Sequence, residues 1–239
     1  MIEIPKFGTP LPDFRPPPPP GPDRLEGRHA RLERLDAEAH AADLFRANSA
    51  SDAIWDYLPY GTFATLDAYR GWMRDMAAQA DPFFYAIRDL ATGRLGGVAS
   101  FLRIAPGSGS IEVGHINFAP ELQQGRAATE AMYLMMRWVF ETGYRRYEWK
   151  CDSLNLPSRR AAQRLGFSYE GVFRQATVYK GRNRDTAWFA CIDKEWPALR
   201  RAYETWLAPQ NFDARGRQIQ RLSALTGPIR ASSDPALGS

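Results

Sequence analysis

Between His29 and Leu207 the spacing of apolar residues switches repeatedly between the two-residue period of a strand and the helical period of about 3.6 residues. These switches constrain the chain to a mixed sheet with helices on both faces. His29 to Leu35 alternates as a strand, Asp36 caps a helix reaching about Asn48, and Thr65 caps a second helix carrying Tyr69, Trp72, Met73, Met76 and Ala77. The aromatic stretch from Trp55 to Phe63, interrupted by Pro59 and Gly61, reads as a packed loop between them. Phe83 to Leu90 and Leu95 to Ile104 form a hairpin around Ala91 to Arg94, and after Pro106 to Ser110 the next strand is Ile111 to Phe118. So far the order is an antiparallel meander. A long helix then runs from Arg126 to Thr142 and stops at Gly143. It is followed by a strand at Tyr144 to Cys151 and a helix at Asn155 to Leu165. Strands at Phe167 to Phe173 and Thr186 to Ile192 flank a turn at Lys180 to Asp185, and a last helix lies near Glu195 to Leu207.

The ends have a different composition. Pro16 to Pro20, with Pro5, Pro10, Pro12 and Pro22, predict an extended polyproline arm over residues 1–26. Residues 27–207 form the folded domain. Residues 208–239 carry few large apolar side chains after Leu225 and read as a peripheral or frayed tail. With 44% hydrophobic residues the chain can close a sizeable core, which excludes a mostly disordered protein. The two cysteines, Cys151 and Cys191, lack the count and spacing of a disulfide framework or a zinc site, so no metal is expected and a reducing, cytoplasmic setting is. Nowhere do about 18 apolar residues run together, so no membrane span is expected. The net charge of +4 is scattered rather than blocked, which argues against a nucleic-acid partner.

Two segments place helix-start amides directly after a strand and a turn, an arrangement that binds anions. In the first, Pro120-Glu121-Leu122-Gln123-Gln124-Gly125-Arg126-Ala127-Ala128, small residues at Gly125, Ala127 and Ala128 would let a pyrophosphate approach the backbone. Close packing of helix on sheet is the competing explanation. The second runs Asn155-Leu156-Pro157-Ser158-Arg159-Arg160-Ala161-Ala162-Gln163-Arg164-Leu165-Gly166-Phe167 and is the more specific. Its Asn, the Ser three residues on, and the closing Leu-Gly-Phe resemble the second signature of the GNAT superfamily of acyl-CoA-dependent N-acyltransferases. Glu170-Gly171, Arg174, Gly181, Asp185 and Glu195-Trp196 look like its RimJ/RimL-type subgroup.

The resemblance implies an α/β, mixed α+β fold: a central, mostly antiparallel twisted sheet with a splayed parallel strand pair. It also implies acetyl-CoA as cofactor and direct transfer of an acetyl group to a primary amine, a peptide N-terminus or a small molecule. Mapped residue by residue, it places the cofactor against Phe118, Gln124, Gly125, Arg126, Ala127, Ala128, Asn155, Ser158 and Arg160. Arg159 and Arg164 would lie beside the same phosphates. The oxyanion donor maps to backbone amides among Ile116, Asn117 and Phe118, with Phe118 the assigned residue. Glu112 takes the role of base, relaying through water, and His115 that of a hydrogen-bonded core histidine. Glu148 and Asp152 are further acidic candidates, or partners of Lys150 and nearby arginines. A homodimer is left open.

Two departures stand beside these matches. The family's first signature fits only if Leu122 stands for a Gln or Arg, or if the register starts at Gln124, with Ala127 and Thr129 at the other two positions. The tyrosine that protonates the departing thiolate in many members is Ala162 here, so that role passes to Ser158, which would otherwise be a helix-start residue facing the cofactor. These departures keep open a second class, a CoA-sensing or ribosome-associated binding module on the same fold. The acceptor pocket would take Trp55, Tyr57, Tyr60 and Phe63 from one side and Arg174, Tyr179, Lys180, Arg182 and Arg184 from the other. Such an aromatic and basic rim suits an acceptor with an apolar body and a carboxylate.

Overall fold

The computed structural model describes residues 6–238. Its strands are β1 (Arg24–Glu26), β2 (Ala30–Arg34), β3 (Phe83–Asp89), β4 (Leu95–Ala105), β5 (Ser110–Phe118), β6 (Arg146–Asp152), β7 (Ser168–Tyr179) and β8 (Arg182–Ile192). The helices are α1 (Ala37–Asn48), α2 (Leu66–Ala77), α3 (Arg126–Glu141), α4 (Leu156–Arg164), α5 (Trp196–Leu207) and the single turn α6 (Leu222–Thr226). One sheet holds all eight strands in the order β1-β2-β3-β4-β5-β6-β8-β7. Every neighbouring pair is antiparallel except β5 and β6, which α3 joins as a crossover and which therefore run parallel.

Strand alternation divides the core between the two faces. Ile111 and Val113 of β5 and Tyr147, Trp149 and Cys151 of β6 turn to the face covered by α3 and α5. Phe84, Ala86 and Val98 turn to the face covered by α1 and α2, where they meet Leu44, Tyr69 and Met73. The expected caps form: Asp36 accepts from the Ala39 amide at 2.7 Å, and Thr65 from the Ala68 amide at 3.2 Å. Helix α3 is held differently. Its N-cap, Gly125, makes no side-chain bond, but Leu134, Met135, Met136 and Val139 are fully buried. Each such side chain contributes about 2 kcal/mol, against about 1 kcal/mol for a missing cap, so packing alone fixes the helix and its first amides stay available.

A buried carboxylate near the N-terminal end of α3 secures the first hairpin. Glu130 accepts from the amides of Arg28 at 3.0 Å, His29 at 2.5 Å and Ala30 at 2.7 Å. A Cβ at residue 27 would run into that carboxylate, which explains Gly27.

Two segments, the last hairpin and residues 208–238, differ from the reading of the sequence, while the proline arm is extended as expected and lies on the surface. The last hairpin is longer, with a two-residue turn at Lys180 and Gly181, both at positive φ. Its extra residues, Arg174 to Val178, are exposed and bulged on an edge strand, so they carry no apolar alternation. The proline arm contributes β1 at its end, and before it Pro17 and Pro20 are buried while Phe14 is half-buried. That spacing of three is the repeat of a polyproline helix, so one face of the arm lies on the protein. Tyr144 and Tyr85 hydroxyls donate to the carbonyls of Pro18 and Pro22, at 3.0 and 2.8 Å. The stretch from residue 208 to 238, expected to be peripheral or frayed, packs on α4 and α5, with Leu222, Thr226 and Asp234 buried.

Polar contacts, which leave no hydrophobic pattern in sequence, hold that segment. Asp234 grips the buried Arg159 through two bonds of 2.6 Å, Thr226 donates to Arg164 O at 3.0 Å, and Arg230 donates to Gln163 O at 2.7 Å. Asp234→Ala strands a buried guanidinium, and we expect a loss of about 3 kcal/mol or more in urea denaturation. The double variant R159M/D234A, which removes both charges, recovers most of it.

Candidate active site

The parallel ladder between β5 and β6 lasts four residue pairs, Ser110 with Arg146 through Val113 with Trp149, and then ends. Beyond it β5 carries a bulge against β4, where pairing jumps from Gly114 with Ser100 to Asn117 with Val98 and His115 adopts φ 50°. From Gly114 on one side and Lys150 on the other, the facing strand edges form no further ladder. The Ala119 amide donates to Gly96 O at 2.8 Å. That makes the adjoining Phe118 and Gly97 a non-hydrogen-bonded pair and turns the Phe118 amide away from β4, toward the gap.

The turn into α3 lies beyond the same gap. Leu122 and Gln123 donate to Ala119 O, Gln124 takes a left-handed φ of 59°, and Gly125 becomes the N-cap. The amides of Arg126, Ala127 and Ala128 begin the helix without backbone acceptors, the orphan donors of any helix start. Gly96 and Gly97 let this turn sit close to β4, since a Cβ on either would strike Leu122 or the backbone at Asn117. Dipole and donors together suit a pyrophosphate. The helix therefore begins where Gly125, Arg126, Ala127 and Ala128 were expected to matter, whichever alignment of the first signature is chosen.

The second expected segment is also at the gap. Asn155 caps α4, its carboxamide oxygen accepting from the Ser158 amide at 3.0 Å. Ser158 Oγ accepts from the Trp149 indole at 3.0 Å, which leaves the hydroxyl proton to be donated elsewhere. Ala162 is completely buried. Of the arginines assigned to the phosphates, Arg160 is exposed and Arg126 is half-buried, its guanidinium over the Phe212 ring at 3.6 Å. Arg159 and Arg164 are not at the site surface. Arg159 is buried against Asp234, and Arg164 donates to Thr129 at 3.2 Å and lies over Trp206, so both serve packing between helices and tail.

Glu112 sits at the third pair of the short ladder, on the α1–α2 face, and is buried. Its carboxylate lies 2.7 Å from Arg103 and 2.9 Å from Lys150. Burial raises its pKa, and the two cations oppose that rise without cancelling it. Lys150 also meets Glu148 at 2.7 Å and lies over the Trp188 ring at 3.7 Å. At Glu148 burial is outweighed by Lys150 and Arg146, so its carboxyl is held below the ordinary range. Asp152 accepts from the Leu154 amide and from the Tyr179 hydroxyl, at 2.9 and 2.8 Å. His115 stacks on Tyr60 and bonds its hydroxyl at 3.2 Å, and burial brings its pKa down to about 4, so it is neutral near pH 7. Burial pushes the Cys151 thiol up to about 11, which removes it as a nucleophile. Arg103, across the sheet from Glu112, carries no motif in the sequence; only its later contact gives it a role.

Residues 29–168 match the family model described as the acetyltransferase (GNAT) domain. The chain belongs to the GNAT acetyltransferase family. This acetyltransferase is 45% identical to a GCN5-related N-acetyltransferase from Brucella melitensis, whose crystal structure aligns over 91% of the present chain and all of that one with a TM-score of 0.89. A GNAT-family protein from Chromobacterium violaceum is 40% identical over 82% of this chain and 99% of its own, with a TM-score of 0.77. The Bacillus subtilis N-acetyltransferase YnaD is 26% identical over 144 residues, covering 60% of this chain and 82% of that protein. The acetyltransferase accordingly uses acetyl-CoA, and among the described residues it has no helix long and apolar enough to cross a membrane.

Gly125 provides a way to test whether the α3 amides hold a phosphate, at the cost of a small adjustment, since a Cβ there would lie 3.2 Å from the Leu122 carbonyl oxygen. Gly125 has φ −77°, open to any residue. Gly125→Asp places a capping carboxylate there, which favours the helix by about 0.5 to 1 kcal/mol while repelling a pyrophosphate. The expected result is an unchanged or raised melting temperature with acetyl-CoA affinity at least tenfold weaker by calorimetric titration.

Proposed function

We propose that the protein acetylates the nitrogen of a primary amine of low pKa, such as a peptide α-amine, by direct attack on the thioester in a ternary complex. The observation that carries this reading is the buried Glu112 at the third of the four pairs of the parallel ladder, one pair before the strands part. It puts a carboxylate of raised pKa beside a gap edged by backbone donors. Acetyl-CoA supplies an acyl carbon already activated toward amines. The chain's own residues then have three tasks. The Phe118 amide stabilises negative charge developing on the acyl oxygen. Glu112 receives, through water, the proton the amine loses as the N–C bond forms and the C–S bond breaks. Ser158, its oxygen held by Trp149, relays a proton from water to the leaving sulfur, taking one up as it gives one, so the hydroxyl is restored.

A water-relayed base favours an amine already partly neutral. An α-amine with a pKa of about 7.7 to 8.0 is a tenth or more neutral at pH 7, whereas a lysine near 10.4 is neutral in well under one molecule in a thousand. The resemblance to the RimJ/RimL-type subgroup agrees with a peptide N-terminus. A distant fold relative, 18% identical, is described as a ribosomal-protein-serine acetyltransferase from Vibrio cholerae. The acetyltransferase MccE, solved with acetyl-CoA and AMP, shares the fold at 17% identity.

Thiol release from acetyl-CoA over amino acids, polyamines, aminoglycosides and short peptides tests the reading. Turnover should be fastest with an α-amine, and kcat/KM should fall as pH drops through the Glu112 pKa, because only the ionised carboxylate accepts a proton. Glu112→Gln removes the Glu112 contribution, leaving only the fall set by the amine's own ionisation, and costs about a hundredfold or more, and Ser158→Ala lowers kcat at least tenfold, both with little change in cofactor affinity. Stoichiometric acetyl-CoA binding without turnover on any amine would favour the binding-module reading instead.

A further inference from the structure

Five polar or aromatic side chains of the last hairpin were expected to rim the acceptor pocket, and the structure separates one from the rest. Lys180 donates to Trp55 O at 2.8 Å, tying the hairpin tip to the loop after α1. Tyr179 donates to Asp152 at 2.8 Å. Arg174 and Arg182 are exposed. Arg184 is only half-exposed, it makes no ion pair among the described residues, and its Nε is buried without a hydrogen-bond partner.

Strand alternation on β8 places Arg184 on the same face as Thr186 and Trp188, and these pair with Asp152 and Lys150 of β6. The Arg184 guanidinium stands 5.5 Å from the Tyr179 ring, whose hydroxyl holds Asp152. Trp188 Nε1 is a second buried donor without a partner on this face. Asp152, held by the Tyr179 hydroxyl, lies three residues past the last β5–β6 pair, so this corner of the sheet stands near the lip of the gap. Unsatisfied buried donors, one of them charged, are costly to a folded chain unless a ligand completes them.

We propose that Arg184 anchors a carboxylate of the acceptor, so that the acceptor class is a primary amine carrying a carboxylate close to its nitrogen, a free α-amino acid being the simplest case. This rests on the N-acetyltransferase reading but replaces the peptide terminus with a free amino acid, whose own carboxylate raises the amine pKa above that of a peptide α-amine and leaves more of the deprotonation to Glu112. The guanidinium fork matches a carboxylate in two parallel bonds. A single positive charge balances one negative charge, and Asp152 on the same face, which makes no ion pair among the described residues, disfavours a dianion such as phosphate and favours the ammonium end of a zwitterion. Recognition at the carboxylate would fix the nitrogen relative to the gap without any contact to the rest of the side chain.

Calorimetric titration in the presence of CoA tests the proposal independently of turnover. The probes are N-acetyl-alanine, N-acetyl-leucine and N-acetyl-phenylalanine, each paired with its carboxamide. At least one free acid should bind ten times more tightly than its amide. Arg184→Met should bring that acid down to the level of the amide, Arg184→Lys should restore part of the difference, and circular dichroism should report the same fold for each variant. In thiol release the parent amino acid should show the loss in R184M mainly as a raised KM, with kcat changed only a few-fold. Equal binding of acids and amides, no binding of any acid, or retained discrimination in R184M overturns the proposal. Equal turnover of amino acids and their amides also overturns it while leaving the N-acetyltransferase reading intact. Discrimination in binding with no thiol release from any amine supports the carboxylate site and removes acyl transfer.

Discussion

A parallel β-ladder that stops after four pairs organises the rest of this molecule. Sheet hydrogen bonds are normally continued as far as both strands last, because an unpaired backbone amide away from water costs more than a paired one contributes. Here β5 turns aside through the bulge at His115, and β6 continues toward β8 alone, where all seven of its residues pair. The crossover helix α3 begins below the opening with uncapped amides, and α4 begins beside it with Asn155 and Ser158. A thioester with a long amide-bearing arm and a pyrophosphate has groups for each of these donors. On the proposed reading the backbone donors of the fold hold the cofactor, with few side chains committed to it.

Electrostatics complete the other face of the sheet. Arg103, Glu112, Lys150, Glu148, Arg146 and Glu170 form a row of alternating charge from β4 through β5 and β6 to β7, with neighbouring members 2.5 to 2.9 Å apart. A lone buried carboxylate would protonate. Flanked by two cations, Glu112 keeps access to its charged form while burial keeps its pKa above the ordinary range, as the proposed role of base requires. Lys150 is shared between two acids, so its charge does not fall wholly on Glu112. Arg184 lies on the same face but outside this row.

Much of this was legible in the sequence. Apolar periodicity located the helices and central strands because those elements are buried on at least one face, and Asp36 and Thr65 act as the caps their positions suggested. The Leu165-Gly166-Phe167 stop was readable for a steric reason: Gly166 takes φ 95° and its backbone abuts Leu199. What escaped were features held by polar contacts between distant residues. Arg159 was assigned to phosphates because a basic residue at a helix start looks the same whether it faces a ligand or Asp234, which follows 75 residues later. The outer half of β7 was missed because an exposed, bulged edge strand has no apolar face to alternate. The role of Glu130, holding three amides of a loop about a hundred residues earlier, has no local signal at all.

Amide hydrogen exchange, read segment by segment with and without acetyl-CoA, tests most directly whether the interrupted ladder is the cofactor slot. The account predicts slower exchange on cofactor addition at Gly114 to Phe118 and at Arg126 to Ala128, with the β2–β3 ladder and the arm from Phe14 to Pro22 unchanged. Saturating acetyl-CoA that leaves both of those segments as they were, or that protects a different surface, would contradict it.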